Sequence, residues 1–166
     1  MARSRESLPT AAAEKLPPGV RPLLVQTLDG GGWAVLARGS VFVVTEDDLV
    51  LNRPWSEVDH GDWDGETLTM TLTWVDGAAP TELTLTEGAP ARFPLLIREQ
   101  VEHSLVQVIT EKAPGGGQLR AAVRRGPDGE LFSQVTASGK VRGGPALEAQ
   151  IADLERRIRS DVGLQP

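Results

Sequence analysis

The sequence predicts an α+β fold. Seven short antiparallel strands form a sandwich or open barrel capped by a helix, and a β-hairpin and a C-terminal helix follow. Three observations predict it. "TLTMTLTWV", residues 67–75, alternates without a break: Leu68, Met70, Leu72 and Trp74 on one side, threonines on the other. That period of two, with β-branched residues on the wet face, belongs to a half-buried antiparallel strand. Asp-Gly pairs at 29–30, 64–65 and 76–77 punctuate the segment, and Asp-Gly favours the positive φ angles of tight hairpins. The period then changes to a helical one after residue 93 and again after residue 144.

Residues 1–22 carry Pro9, Pro17, Pro18 and Pro22 among alanines and charges. Such composition buries little and predicts a flexible tail, with at most a helical turn around Ala11–Lys15. Strands are expected at 23–28, 33–38, 41–45, 49–52, 57–63, 67–75 and 82–86. Ile97, Val101, Leu105, Val108 and Ile109 recur at helical spacing between Pro94 and Pro114-Gly115, so a single helix is expected over 94–112. Residues 23–113 thus form one domain. The alternating runs 118–124 and 131–136 flank Pro127-Asp128-Gly129 and read as a hairpin. Leu147, Ile151, Leu154 and Ile158 make one apolar stripe between Pro145 and Gly163. That stripe spans only about two heptads, too short for a coiled coil, and predicts a helix packed on its own hairpin. Residues 118–164 are therefore an appendage.

The 166 residues contain no cysteine, which excludes disulfides, thiolate metal sites and a cysteine nucleophile. The first residues lack the apolar core of a signal peptide, and no apolar run reaches the ~18–20 residues that span a bilayer. The expectation is a soluble, cytoplasmic protein. The net charge of −6 is uneven: residues 41–90 hold eleven acidic side chains and one basic, Arg53, whereas residues 111–142 hold six basic and three acidic. An acidic body repels phosphate backbones and anionic lipid.

The stretch "RPWSEVDHGDWDGE", 53–66, has the densest functional groups. His60, Asp62, Asp64 and Gly65 imitate the start of a calcium loop. However, the first ligand position is imidazole, and the twelfth, which should be a bidentate Glu, is Thr71. Only four Trp and three Phe serve the chain, so Trp55, Trp63 and Trp74 read as structural. His103 and Ser104 are neighbours on a helix and diverge by about a hundred degrees, which prevents a nucleophile–base bond. The glycine runs 30–32 and 115–117 lead into strands, unlike phosphate cradles, which lead into helices. No metal, cofactor or catalytic set is expected. Arg120, Arg124, Arg125 and Arg142, with Lys140, gather on the hairpin and its exit and form the candidate interaction residues. Arg120 and Arg124 share one strand face and Arg125 points the other way. Phe132 alone offers a stacking surface, which is poor for single-stranded nucleic acid.

Strands followed by a plugging helix resemble the pleckstrin-homology-like fold, and "VFVVTEDDLVL" followed by "PWSEV" looks like its bacterial form. Over most of the chain, Trp55-x-x-Val58, Trp63-Asp64, Phe93-Pro94, Arg98-Glu99-x-Val101 and Arg124-Arg125 before Pro-Asp-Gly resemble a family of conserved, uncharacterised proteins of high-GC Gram-positive bacteria. That resemblance implies a fold and a cytoplasmic setting, with no reaction or cofactor attached. The function expected is a non-enzymatic protein- or peptide-binding module. The alternatives are nucleic-acid association through the basic hairpin and a hydrolase built around His60.

Overall fold

A computed structural model describes residues 7–86 and 91–165. It is an α+β chain of antiparallel sheets and three helices, and it divides into two compact units, Met1–Glu102 and His103–Pro166.

In the first unit, β1 (Pro22–Thr27), β2 (Trp33–Ala37), β3 (Ser40–Val44) and β4 (Leu49–Pro54) form a four-stranded sheet in chain order. Pro54 then holds extended backbone, and residues Trp55–Glu57 make a 3-10 turn. The turn redirects the chain into a second sheet of β5 (Val58–Asp64), β6 (Thr69–Trp74) and β7 (Thr81–Thr84). The two sheets are tied at one seam, where a Leu28–Leu85 bridge forms and the Asp29 amide donates to the Thr84 carbonyl at 2.8 Å. Between them lie Leu36, Val41, Trp55, Val58, Met70, Leu72, Trp74 and Leu83, together with Phe93, Leu96 and Ile97 of α2 (Arg92–Ser104). Alternation explains this: Met70, Leu72 and Trp74 are buried while Thr69, Thr71 and Thr73 are not.

Four expectations need correction here. The helix ends at Ser104, and Leu105–Lys112 is a strand, β8. The apolar stripe through Leu105, Val108 and Ile109 suits a helix. But Val106, Val108, Ile109 and Thr110 are β-branched, four of eight residues, and a neighbouring strand pairs with this segment along its length. The boundary between the units accordingly falls at 102/103, earlier than the expected 113. The tail was expected to be flexible, with at most a helical turn around Ala11–Lys15; the turn is present, and what was not expected is its burial. Within it, residues 1–6 lie outside the described residues, but Thr10–Ala13 form α1, and Ala12 is 0% exposed. Ala12, Leu8, Leu16 and Val20 cover the outer face of the first sheet, against Val35, Phe42 and Val44. That cover was legible in "AVLA" and "VFVV", which are apolar on both faces and so need burial on both. Finally, β5 and β6 join through four residues, 65–68, instead of a two-residue turn. Asp64 Oδ1 accepts from the amides of Glu66 and Thr67 at 2.9 and 3.3 Å. Leu68 adopts φ 54°, uncommon for a branched side chain, and it rests against the core.

In the second unit, β8, β9 (Gln118–Arg125) and β10 (Leu131–Ser138) make an antiparallel sheet with β9 central. Leu119, Ala121 and Val123 face α3 (Pro145–Asp161), whose Leu154 and Ile158 are fully buried on them, with Leu147 and Ile151 flanking. The helix packs on its own hairpin, with β8 added. Gly163 ends α3 at φ 74°, with the Leu164 amide returning to the Arg159 carbonyl at 2.9 Å and Leu164 folded onto the core. This is the 6→1 bond and apolar contact of a Schellman stop. The β8–β9 turn is clasped by the chain leaving β10: the Gly117 amide donates to Lys140 O at 2.7 Å, and the Arg142 amide to Pro114 O at 2.6 Å. A Cβ at Gly117 would stand 2.4 Å from Ser138 O, so only glycine closes this clasp.

Candidate interaction surfaces

A β-bulge decides how the functional groups of residues 53–66 are presented. Val58 pairs with Trp74, and then Asp59 is skipped so that His60 pairs with Thr73. The extra residue re-aims the strand. Val58, Gly61 and Trp63 therefore face inward, with Trp74, Leu72 and Met70 opposite, while His60, Asp62 and Asp64 face outward beside Thr73, Thr71 and Thr69. Without the bulge, Val58 would share a face with His60 and Asp62, which is how the unbroken period reads. Gly61 lies close against this interior: a Cβ there would stand 3.1 Å from Met70 Sδ, which would have to give by a few tenths of an ångström, and 3.8 Å from an Ile97 methyl.

Trp55 is 2% exposed and its indole N–H donates to Ala37 O at 2.8 Å, which satisfies its one polar atom inside the core. Trp74 is also buried and donates to Thr81 Oγ1 at 3.1 Å. Trp63 is half-buried at the core margin, its ring 6.3 Å from that of Phe93. The guanidinium of Arg53 lies 4.1 Å above the Trp74 ring and donates to Glu57 and Asp76, both at 2.6 Å. Sequence reasoning did not single out Arg53, although its being the one basic residue in 41–90 was a signal. A lone cation amid carboxylates is placed to neutralise specific ones.

The outer face of the second sheet is acidic and threonine-rich. It carries His60, Asp62 and Asp64 from β5, Thr69, Thr71 and Thr73 from β6, and Glu82 and Thr84 from β7. The hydroxyls of Thr69 and Thr84 bond across strands at 2.9 Å. His60 is held between carboxylates, with Nδ1 2.7 Å from Asp59 Oδ2 and Nε2 3.4 Å from Asp62 Oδ2. The two turns bordering this face fix further carboxylates. Backbone amides of Glu66 and Thr67 hold Asp64 below the ordinary carboxylate range. The Ala78 amide, and then Arg53, do so for Asp76. Hydrogen bonds donated to the charged form stabilise it, so both carboxyls favour the anion more than an ordinary carboxyl does. Among the described residues no group of three or more His, Asp or Glu is arranged to hold a metal ion.

The basic hairpin is dispersed by the fold. Arg124 is 0% exposed and donates to Ser104 Oγ at 3.1 Å. Arg120 is half-buried on the same face of β9. Arg125 is exposed on the α3 side, bonded to Gly129 O of its own turn at 3.4 Å. Arg142 and Lys140 are exposed at the far end, beyond β10. Residues adjacent in the sequence are thus spread over two faces and both ends of one sheet. Among the described residues no helix is long and apolar enough to cross a membrane.

Compared with known proteins, the chain matches no family model, no curated protein and no solved structure.

Proposed function

We propose that the first unit is a pleckstrin-homology-like module, and that the protein is a non-enzymatic binding module whose acidic β5–β6–β7 face takes a cationic segment of a partner protein. One observation carries this reading: His60, Asp62, Asp64 and Glu82 stand outward on a single sheet face, while the space between the sheets is filled by Trp55, Leu72, Trp74 and Phe93. A filled interior leaves recognition to the surface, and potentials of one sign select partners of the other. The order of four strands, a corner, three strands and a helix supports the fold assignment. The cytoplasmic setting and the bacterial family rest on sequence resemblance alone and belong to the same proposal.

The hydrolase alternative gains nothing from this geometry, since the carboxylates around His60 line an exterior face and not a cleft. The nucleic-acid alternative gains little, because Arg124 is committed inside the second unit and Arg125 points away from Arg120.

The test uses two labelled peptides, one alternating lysine and serine and one alternating glutamate and serine, titrated into the full chain. The lysine peptide should bind, weaken as salt rises, and lose at least about tenfold in affinity with Asp62→Lys/Glu82→Lys. Equal binding of the two peptides, or indifference to the charge reversal, overturns the proposal.

A further inference from the structure

Every sheet in this molecule ends in edge strands, and an edge presents unpaired amides and carbonyls that template pairing with another chain. Among the described residues, five of the six edges carry a device against it. The β1, β4, β5 and β8 pairings each contain a register shift, between Pro22 and Leu24, between Val43 and Val44, between Val58 and His60, and between Leu105 and Gln107. β4 adds Arg53 and Pro54, β5 adds Asp59, Asp62 and Asp64, and β8 ends in Glu111 and Lys112. β7 is four residues long with Glu82 in it, and it meets β1 through the Leu28–Leu85 bridge.

β10 has none of these. Its eight residues, Leu131–Ser138, pair with β9 in continuous register. "LFSQVTAS" contains no charge, no proline and no glycine. Among the described residues it is an end strand, paired on one side only. Its length, roughly 27 Å at the usual rise of an antiparallel strand, exceeds that of any other edge except β8. Edge protection is general enough that one long unguarded edge marks an intended partner.

We propose that β10 is a homodimer interface, pairing antiparallel with β10 of a second copy to make a six-stranded sheet. The two-fold axis runs perpendicular to the sheet beside Gln134 or Val135, so both copies of α3 lie on one face. A self-pairing strand must be uncharged, because each side chain near the axis meets its own copy and like charges opposite one another repel. The edge strand β1 is uncharged too, but it opens on a proline and its pairing is broken by a register shift. Among the described edges only β10 is both uncharged and in continuous register, so the pairing closes at two and does not propagate into a filament. Beside the strand, Ser133 Oγ donates to Glu155 Oε1 at 2.8 Å and accepts from Arg159 Nη1 at 3.1 Å. The adjoining part of α3 thus brings one anion and one cation per copy, with no excess of either sign.

The full chain is measured by sedimentation and light scattering over a roughly hundredfold range of concentration. The mass should rise from 17.8 kDa towards twice that value. Gln134→Lys/Thr136→Lys places lysine against lysine whether the axis passes Gln134 or Val135, and it should remain monomeric throughout with wild-type far-UV circular dichroism. A wild type that stays at the monomer mass overturns the proposal, as does a dimer that survives in the folded double variant. Should that variant misfold, hydrogen exchange of the wild type decides. Amides of 131–138 should slow about tenfold or more from dilute to concentrated protein while those of 118–125 do not. Equal behaviour of the two strands rejects the interface.

Discussion

The two units bury their cores by different means. The first lays indoles between two sheets: Trp55, Trp74 and, at the margin, Trp63, with Phe93 from α2. The second has no aromatic residue in its core, which is made of Leu119, Ala121, Val123, Leu154 and Ile158 with flanking aliphatics from every element. An indole covers a large area from one position, so few residues hold the first unit and each is hard to replace. A helix stripe against an alternating strand spreads the same task over many small contributions. All four tryptophans, at 33, 55, 63 and 74, lie in the first unit. Intrinsic fluorescence therefore follows the first unit alone, and the 222 nm ellipticity of the 17-residue α3 weighs towards the second.

The largest expected effect is on the indole core. Trp55→Ala removes a side chain 2% exposed and leaves the Ala37 carbonyl without its indole donor. The cavity and the lost bond together cost about 3–5 kcal/mol. In denaturant the fluorescence transition should move to much lower concentration, with Trp55→Phe recovering most of the loss. A wild-type midpoint in Trp55→Ala would make the indole a passenger and remove the basis of the contrast.

Next comes the aliphatic core. Leu154 is fully buried at the centre of the α3 stripe, and Leu154→Ala costs about 2–4 kcal/mol. The sharp form of the prediction concerns which probe moves. Ellipticity should shift while the tryptophan transition stays near its wild-type midpoint. If both probes move together in both variants, the chain has one cooperative core and not two, and the division between indole-built and aliphatic units has no energetic meaning.

The same contrast explains what the sequence made legible. Strand β6 was plain because Met70, Leu72 and Trp74 alternate with threonines and face one sheet side. Helix α3 was plain because a single stripe had a single use. The α2–β8 segment was not, because Leu105, Val108 and Ile109 satisfy a helical period while their β-branched neighbours favour a strand. Local pattern cannot arbitrate between the two when the deciding pairing partner, Gln118–Arg125, lies further along the chain. The candidate site was half legible for a similar reason. The acidity around His60 could be read directly, but which residues face outward depends on the bulge at Asp59, and a one-residue insertion reverses every later side chain. In the basic hairpin, counting arginines could not reveal that Arg124 is buried against Ser104.

The smallest effect is the most discriminating, because it asks how each unit fixes its carboxylates. In the second unit Glu111 is bound by the Arg157 guanidinium and by Gln150 Nε2, and chiefly by Arg157 it is held below its ordinary titration range. In the first unit Asp64 is held low by the backbone amides of Glu66 and Thr67. Both contributions have the same sign. A carboxyl whose folded value is depressed stabilises the fold at pH above its unfolded value, about 4, and that stability is lost as pH falls through the lower folded value. Acid should therefore weaken both units, and Glu111→Gln and Asp64→Asn should each flatten the pH dependence of the unit they sit in, below about pH 4. Salt separates the two. An exposed ion pair is screened, whereas turn amides directed at a carboxylate are short-range hydrogen bonds that salt leaves largely intact. In molar salt the acid sensitivity followed by ellipticity should shrink towards that of Glu111→Gln, while the share of the fluorescence-followed sensitivity that Asp64→Asn removes persists. Loss of that share in salt would mean that Asp64 acts through charge and not through its turn.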